Sequence, residues 1–294
     1  MAFSALTRKP GEKFDLAAID PRSTPGIKGK EAAEEDRPEK QERLTSLQQL
    51  LYANGGRALL VVLQGMDASG KDGVIRHVAG AFDPQGVAVT SFKVPTPEEL
   101  AHDFLWRIHK AVPGRGRIGI FNRSHYEDVG VVRVKKLAPE TVWRKRYGEI
   151  NRFERLLADN GVAIVKIFLH ISPEEQAERQ RDRQRDPEER WKFNPGDLGD
   201  RKLWPEFMAA YGEALTRCHT PWAPWYVIPA DRKWYRNWAI SRLLVGALEA
   251  MDLDYPPAPA DIESHEIPEV KWPPRRAPKR APGASRSGRG RGRR

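Results

Sequence analysis

The chain has 294 residues, which allows one large domain or two small ones, and we read one. Charged residues make up 31%, and no apolar run comes near the roughly 18–20 residues that a membrane span needs, so a soluble protein with no membrane partner is expected. The formal charge of +10 falls entirely in residues 271–294: ten Lys and Arg without an acid stand there, and residues 1–270 set 40 basic against 40 acidic side chains. Any anion site in the body must therefore come from local clustering, not from overall charge.

The N-terminal stretch MAFSALTRKPGEKFDL has no apolar run and no small-residue cleavage pattern, so no secretory signal is expected. A single cysteine, Cys218, cannot make an internal disulfide, which fits a reducing cytoplasm. Residues 1–35 read as a polar N-terminal arm, with a helix from about residue 38 carrying Leu44, Leu47, Leu50 and Leu51 at helical spacing. From residue 58 strand-like and helix-like stretches alternate: ALLVVLQ, KDGVIRHVAGAF, GVAVTSFKV, PEELAHDFLWRIHKAV, RIGIFN, PETVWRKRYGEINRFERLLADNG and VAIVKIFLHIS. An Arg/Asp/Glu-rich region follows, about 172–200, and then LWPEFMAAYGEALTRC, WYVIPA and RKWYRNWAISRLLVGALEAM. Near-continuous Val, Ile and Leu strands between helical patterns predict an α/β fold, a parallel sheet flanked by helices on both faces. Residues 36–255 form this domain, and 256–294, rich in Pro, Arg and Gly, reads as a disordered basic tail.

The segment GMDASGKD supplies Gly65, four residues, Gly70 and Lys71, a phosphate-loop frame set between a strand and a helix. In that context the backbone N–H groups of Ala68, Ser69 and Gly70 converge on phosphate oxygens and Lys71 adds a mobile charge. The position that normally offers a hydroxyl to magnesium holds Asp72, and a second acid, Asp67, lies inside the loop. Magnesium takes oxygen ligands, so Asp67 is the expected anchor; Asp72 is either a further ligand or a cap on the first helical turn. The strand RIGIFN ends in Asn122 and Arg123, where many nucleotide-triphosphate enzymes place an Asp, so Asn122 offers an uncharged amide oxygen instead. Within EEQAERQRDRQRDPEERWKF, Arg179 and Arg183 share one helix face. They form either a solvated charged helix or a lid whose arginines stabilise a phosphoryl group in transit.

Taken together, GMDASGKDG, SFKVPTPEELAHDFLWRIH, GRIGIFNRSHYEDV, DPEERWKFNPGDL and PWYVIPADRKWYRNW resemble the polyphosphate kinase 2 family over about 35–255. The resemblance implies a P-loop kinase fold with an arginine-rich helical lid, and magnesium-dependent phosphate transfer between inorganic polyphosphate and nucleotides, manganese being an alternative ion. It matches Asp67 and Lys71 to the family's loop acid and lysine, Asn122 and Arg123 to its second pair, and Arg179 and Arg183 to its lid arginines. Asn122 departs from the commoner Asp, and NRSHYE looks like the branch that accepts AMP as well as ADP. Two polyanions meeting at one metal would need a basic channel, for which Lys71, Lys93, Arg123 and Arg133 are candidates. Glu127 is expected near the nucleotide phosphates, where its charge would favour AMP over ADP.

The acceptor is itself an ionised phosphate, so no strong general base is needed, and His125 reads as a hydrogen-bonded structural histidine. The tryptophans, including Trp106, Trp191, Trp225 and Trp238, read as core or subunit contacts, and a homo-oligomer, dimer or tetramer, is expected. Substrates on this reading are polyphosphate with AMP, ADP and ATP, guanine nucleotides being an open possibility. The alternatives are an ATP-dependent nucleoside or nucleoside-monophosphate kinase, and an RNA-binding protein acting through its Arg/Gly tail.

Overall fold

The computed structural model describes residues 4–270; the Arg/Gly tail, on which the disorder expectation and the RNA-binding alternative rest, lies outside them. Five strands, β1 Ala58–Gln64, β2 Val87–Ser91, β3 Ile118–Asn122, β4 Val162–His170 and β5 Trp225–Pro229, form one parallel sheet in the order β2-β3-β1-β4-β5. Helices occupy Lys30–Asn54 (α1), Lys71–His77 (α2), Pro97–Leu100 (α3), Trp106–Ala111 (α4), Val131–Val134 (α5), Glu140–Asp159 (α6), Pro173–Arg185 (α7), Pro195–Lys202 (α8), Trp204–Arg217 (α9) and Lys233–Glu249 (α10). This is the α/β P-loop kinase architecture that the sequence predicts. Among the described residues, no helix is long and apolar enough to cross a membrane.

The unbroken apolar run of β1 follows from its place at the centre of the sheet, because every one of its residues is buried. Ala58, Leu60 and Val62 join a cluster with Trp143, Ile150 and Phe153 of α6 and Phe207 and Tyr211 of α9. Leu59, Val61 and Leu63 face the other way, onto Leu44, Leu47 and Leu51 of α1 and Ile240, Leu243 and Leu244 of α10. Strand alternation thus splits one hydrophobic word between two cores. β2 lies at the edge, and its side chains are half-buried or exposed.

Strand register places the site. Leu63 lies opposite Asn122, and Gln64 opposite Phe168, so the exits of β1, β3 and β4 share one end of the sheet. From β1 the chain runs out to β2 and back through β3, then crosses to β4 on the other side of β1, and the change of direction at β1 opens a crevice beyond the carboxyl ends of the strands.

Three local expectations are corrected. Helix α1 begins at Lys30, not near 38, and runs through Pro38. A proline there removes one hydrogen bond, but Ala33 is buried and Trp238 Nε1 donates to Asp36 Oδ2 at 2.8 Å, so docking on α10 outweighs the local penalty. The stretch 97–112 is two helices rather than one. A capping box at Thr96 and Glu99 starts α3, and Asp103 Oδ1 accepts from Leu105 N at 3.0 Å in the turn before α4. The polar arm is a strap: Leu6, Phe14 and Leu16 are buried, Thr7 Oγ1 donates to Trp225 O at 2.7 Å, and Phe14 N donates to Thr216 Oγ1 at 3.0 Å. Residues Met1–Pro256 form one unit. In the second, from Pro257, the residues up to 270 are exposed and include a 3-10 turn at Ile262–Ser264.

Candidate active site

The loop between β1 and α2 turns sharply, with φ of 150° at Gly65, 61° at Ala68 and 101° at Gly70. An added Cβ at Gly65 would lie 2.7 Å from Leu169 O, and at Gly70 only 1.9 Å from Arg236 Nη1, so both places exclude a side chain. Ser69 is fully buried. Lys71 is buried as well, and its Nζ donates to Gly65 O at 2.9 Å and Met66 O at 3.2 Å, curling the ammonium group back over the loop. Burial, helped by the nearby Arg123 charge, lowers the Lys71 pKa to about 8 against the opposing pull of Asp67, Glu127 and Asp72.

Beside the loop stands a wall of oxygen donors. Arg123 holds φ at 63°, a left-handed conformation uncommon for a residue with a Cβ, and its guanidinium pairs with Asp67 and, at 3.4 Å, with Glu127. Gln64 Nε2 donates to Glu127 Oε1 at 2.9 Å, and burial raises the Glu127 pKa although Arg123 and Lys71 oppose the rise. Asn122 Nδ2 donates to Asp72 Oδ1 at 2.9 Å. Of the two readings of Asp72, the cap is therefore not seen: its carboxylate engages Asn122, and the α2 N-cap, Gly70, makes no side-chain cap. The contact uses the Asn122 amide nitrogen, which leaves its oxygen for another partner.

The segment that carries Arg123 and Glu127 rests on a buried ionic cluster. Lys166 Nζ on β4 donates to Glu154 Oε2 at 2.6 Å, Tyr126 OH at 2.8 Å and Cys218 O at 2.6 Å. Tyr126 OH in turn donates to Glu154 Oε1 at 2.9 Å, and His125 Nε2 lies 3.2 Å from the same oxygen. Burial alone would raise the Glu154 pKa, but Lys166 and His125 bring it below its ordinary value. His125, 1% exposed, thus sits in the scaffold under the site.

Arg179 needs a correction. A guanidinium has five N–H donors. Here Nη1 donates to Ala68 O at 2.9 Å and Ser69 O at 3.0 Å, Nη2 to Ala230 O at 2.6 Å and Asp231 O at 3.0 Å, and Nε to Glu175 Oε1 at 2.8 Å. With every donor engaged, Arg179 clamps the loop to the end of β5 and has none left for a phosphoryl group. Gln176, one turn earlier, donates to Asp67 O at 3.1 Å, so the first turns of α7 belong to the loop's support. Arg183, one turn further on, makes no hydrogen bond among the described residues and lines the cleft.

Two further expectations fail on position. Arg133 is neutralised by Glu213, lies over Trp143 and lines a separate cavity of about 670 Å³ between the N-terminal strap and α9. Lys93 is exposed near the sheet edge, outside the cleft lining, and its carbonyl accepts from Arg107 Nη1 at 2.9 Å. Of the core and subunit-contact readings of the tryptophans, Trp225 and Trp238 take the first, being buried, whereas Trp191 is 78% exposed and outside the core.

The cleft over the loop measures about 990 Å³. It gathers Asp67, Ala68, Gly70, Lys71, Asp72, Asn122, Arg123 and Arg183, with Arg179 at its back. Sequence reasoning missed Arg76, Lys192, Lys233, Arg236 and Asn237, which also line it. RKWYRNW did carry a signal, since Lys233 and Arg236 stand three apart on one helix face, but only the fold turns that face toward the loop.

Comparison with known proteins agrees with this geometry. The family described as Polyphosphate kinase 2 matches residues 28–256. An AMP/ADP-polyphosphate phosphotransferase of Meiothermus ruber is 53% identical over 249 residues, covering 84% of this chain and 93% of that protein. An ADP-polyphosphate phosphotransferase of Rhodopseudomonas palustris is 44% identical over 258 residues, covering 84% and 89%. The crystal structure of a polyphosphate kinase 2 from Arthrobacter aurescens superposes with a TM-score of 0.86 at 44% identity, covering 89% of this chain and 93% of that one. A phosphate loop, an acidic wall and an arginine-bearing helix thus come together in a chain that matches this family from α1 to the end of its first unit, and the chain belongs to the polyphosphate kinase 2 family.

Proposed function

We propose that the protein is a polyphosphate-dependent nucleotide phosphotransferase that moves phosphate reversibly between inorganic polyphosphate and AMP or ADP. The observation that carries this reading is the single cleft in which Lys71 and the loop, the Asp67–Arg123 pair and the basic residues of α7 and α10 face one another, with Glu127 paired to Arg123. Such a cleft brings two polyanions together, and phosphoryl transfer asks mainly for positioning and charge neutralisation. The relatives support both acceptors, because one is named for AMP and ADP and another for ADP.

The residues divide the work. Loop N–H groups and the remaining N–H of Lys71 hold the transferred phosphate. Arg123, braced by Asp67 and Glu127, presents a guanidinium to the oxygens where donor and acceptor meet. Arg183 closes from α7 over the same point. The acceptor phosphate needs no base, in keeping with the burial of His125 below the site.

Magnesium fits the donors present. Asp67, Asp72 and the free amide oxygen of Asn122 lie along the cleft, and the described residues hold no cluster of three or more His, Cys, Asp or Glu that would form a full cage. Magnesium needs no such cage, since one or two carboxylates with substrate phosphates complete its shell, and manganese accepts the same oxygens. Asp67 and Asn122 would hold the ion, which neutralises the crowded phosphate oxygens when bound.

Glu127 would disfavour a second acceptor phosphate and so favour AMP. Cytoplasmic location and assembly into a homo-oligomer belong to this reading too, the latter to be measured by light scattering. The deciding experiment incubates the purified chain with polyphosphate and magnesium, separately with AMP, ADP, GMP and GDP. Formation of the next higher phosphate from AMP or ADP is expected. Turnover with ATP as donor but none with polyphosphate would replace this reading with that of an ordinary nucleotide kinase.

A further inference from the structure

Gln64 closes β1 as the one polar residue of ALLVVLQ, and it is 1% exposed. Strand alternation turns it to the face of Leu60 and Val62, the side of the sheet covered by α6 and α9. Among the described residues its side chain makes one hydrogen bond, from Nε2 to Glu127 Oε1 at 2.9 Å. The amide oxygen is buried and has no partner there. A buried polar atom left unmatched costs stability, and a Leu or Met in this place would carry no such atom. What the amide adds over an apolar residue is its bond to Glu127.

Glu127 lies between two kinds of neighbour. Its Oε2 is 3.4 Å from Arg123 Nη1, long for a charge-assisted hydrogen bond, while Oε1 takes the shorter bond from Gln64. Arg123 turns Nη2 to Asp67. Lys71 adds a second positive charge nearby, Asp67 and Asp128 add negative ones, and the phenol of Tyr211 on α9 stands close by. Burial favours the neutral acid, so Glu127 keeps its charge only with help from groups that favour the ionised form. A cation gives that help but cancels the charge it stabilises, whereas an amide N–H supports the carboxylate and leaves its field in place. Without the amide, Glu127 would turn both oxygens onto the Arg123 guanidinium or take up a proton, and either change erases that field.

We infer that Gln64 is a positioning residue for acceptor choice: by holding Glu127 Oε1 it keeps an uncancelled negative charge where a second acceptor phosphate would lie, and so favours AMP over ADP. The inference rests on Glu127 facing the acceptor phosphates, and it names the residue that makes Glu127 effective. Gln64 lies outside the cleft lining, so it acts through the carboxylate and not by touching a substrate.

The test measures kcat and KM for AMP and for ADP, with polyphosphate as donor, on the full chain, Gln64→Met, Gln64→Leu, Glu127→Asn and the double variant Gln64→Met with Glu127→Asn. Each Gln64 variant should lower the AMP-to-ADP ratio of kcat/KM severalfold, chiefly through a lower KM for ADP, while the KM for polyphosphate stays within about twofold. In the Glu127→Asn background the further change Gln64→Met should leave the ratio within about twofold, because the amide then has no carboxylate to hold. A merely structural role would instead lower the melting temperature and slow both acceptors alike. An unchanged ratio in the folded Gln64 variants, with a shifted ratio in Glu127→Asn, overturns this inference alone. So does an equal shift from Gln64→Met with and without Glu127, and so does failure of both Gln64 variants to fold, which would mark Gln64 as scaffold. If Glu127→Asn leaves the ratio unchanged, the reading of Glu127 fails and this inference with it. No turnover of the parent with polyphosphate would sink the donor reading and the inference together.

Discussion

Arg179 and Arg236 are both buried guanidinium groups that lean on Gly70, yet their surroundings differ in kind. Arg179 has all five donors engaged, four of them by backbone carbonyls, whereas among the described residues Arg236 bonds only to its neighbour's amide, through Nε and Nη2. Burial alone would have given them the same role. Counting donors separates the part of the molecule that holds the loop from the part left free for a ligand, because a buried polar group without a partner persists at a cost. The same count places Arg183 with the working groups and Lys166 with the scaffold.

The largest expected effect lies on the working side. Asp67→Asn or Lys71→Met should lower kcat about 10²–10³-fold or more while the melting point stays near the parent's, since each removes charge from the point of transfer. Full activity in a folded Asp67→Asn chain would dissolve the distinction between wall and scaffold. Next comes the scaffold side. Arg179→Met strands four carbonyls and should destabilise by about 3 kcal/mol or more, lowering Tm by roughly 6–12 °C. Arg183→Ala, one turn away, should leave Tm within a degree or two and lower kcat instead, about tenfold or more. Paired thermal melts and steady-state rates on these variants would sharpen the comparison, and an equal loss of stability in both would break it.

Protonation gives a smaller effect. Lys71 must carry its proton to hold phosphate, and its pKa in the free chain is lowered to about 8. kcat/KM for polyphosphate should therefore be flat below that pH and fall about tenfold per unit above it. Bound oxyanions favour the charged ammonium, so the fall in kcat should come at higher pH. The two profiles coinciding would mean that Lys71 does not meet the donor. Smallest is Glu127→Asn, for which a severalfold shift of the AMP-to-ADP ratio toward ADP is expected. An unchanged ratio in competition assays would remove Glu127 from acceptor choice.

Legibility varied with the range of the interactions involved. The central strands β1 and β4 stood out because an interior parallel strand is apolar on both faces, and both are mostly apolar residues led by Val, Ile and Leu. The loop was legible because Gly65, Gly70 and Lys71 stand at a fixed spacing between a strand and a helix. The start of α1 was not, since Pro38 reads as a helix breaker until Asp36 is seen docked on Trp238. The strap of residues 4–28 hid its purpose because Leu6, Phe14 and Leu16 are isolated apolar residues in polar surroundings. Arg179 looked equivalent to Arg183 because helical spacing reports a shared face and says nothing of what covers each turn.

The sequence by itself determined the alternation of strands and helices, the phosphate loop and the residue types that meet magnesium and phosphate, because local periodicity and short motifs encode these directly. Only the tertiary structure decided which of many arginines is spent on the loop and which remains open, and that Arg133 and Lys93 lie elsewhere. The physical reason is that a guanidinium's role depends on acceptors brought from distant segments: Ala230 and Asp231 reach Arg179 from about 50 residues away, and Arg236 meets Gly70 across more than half the chain.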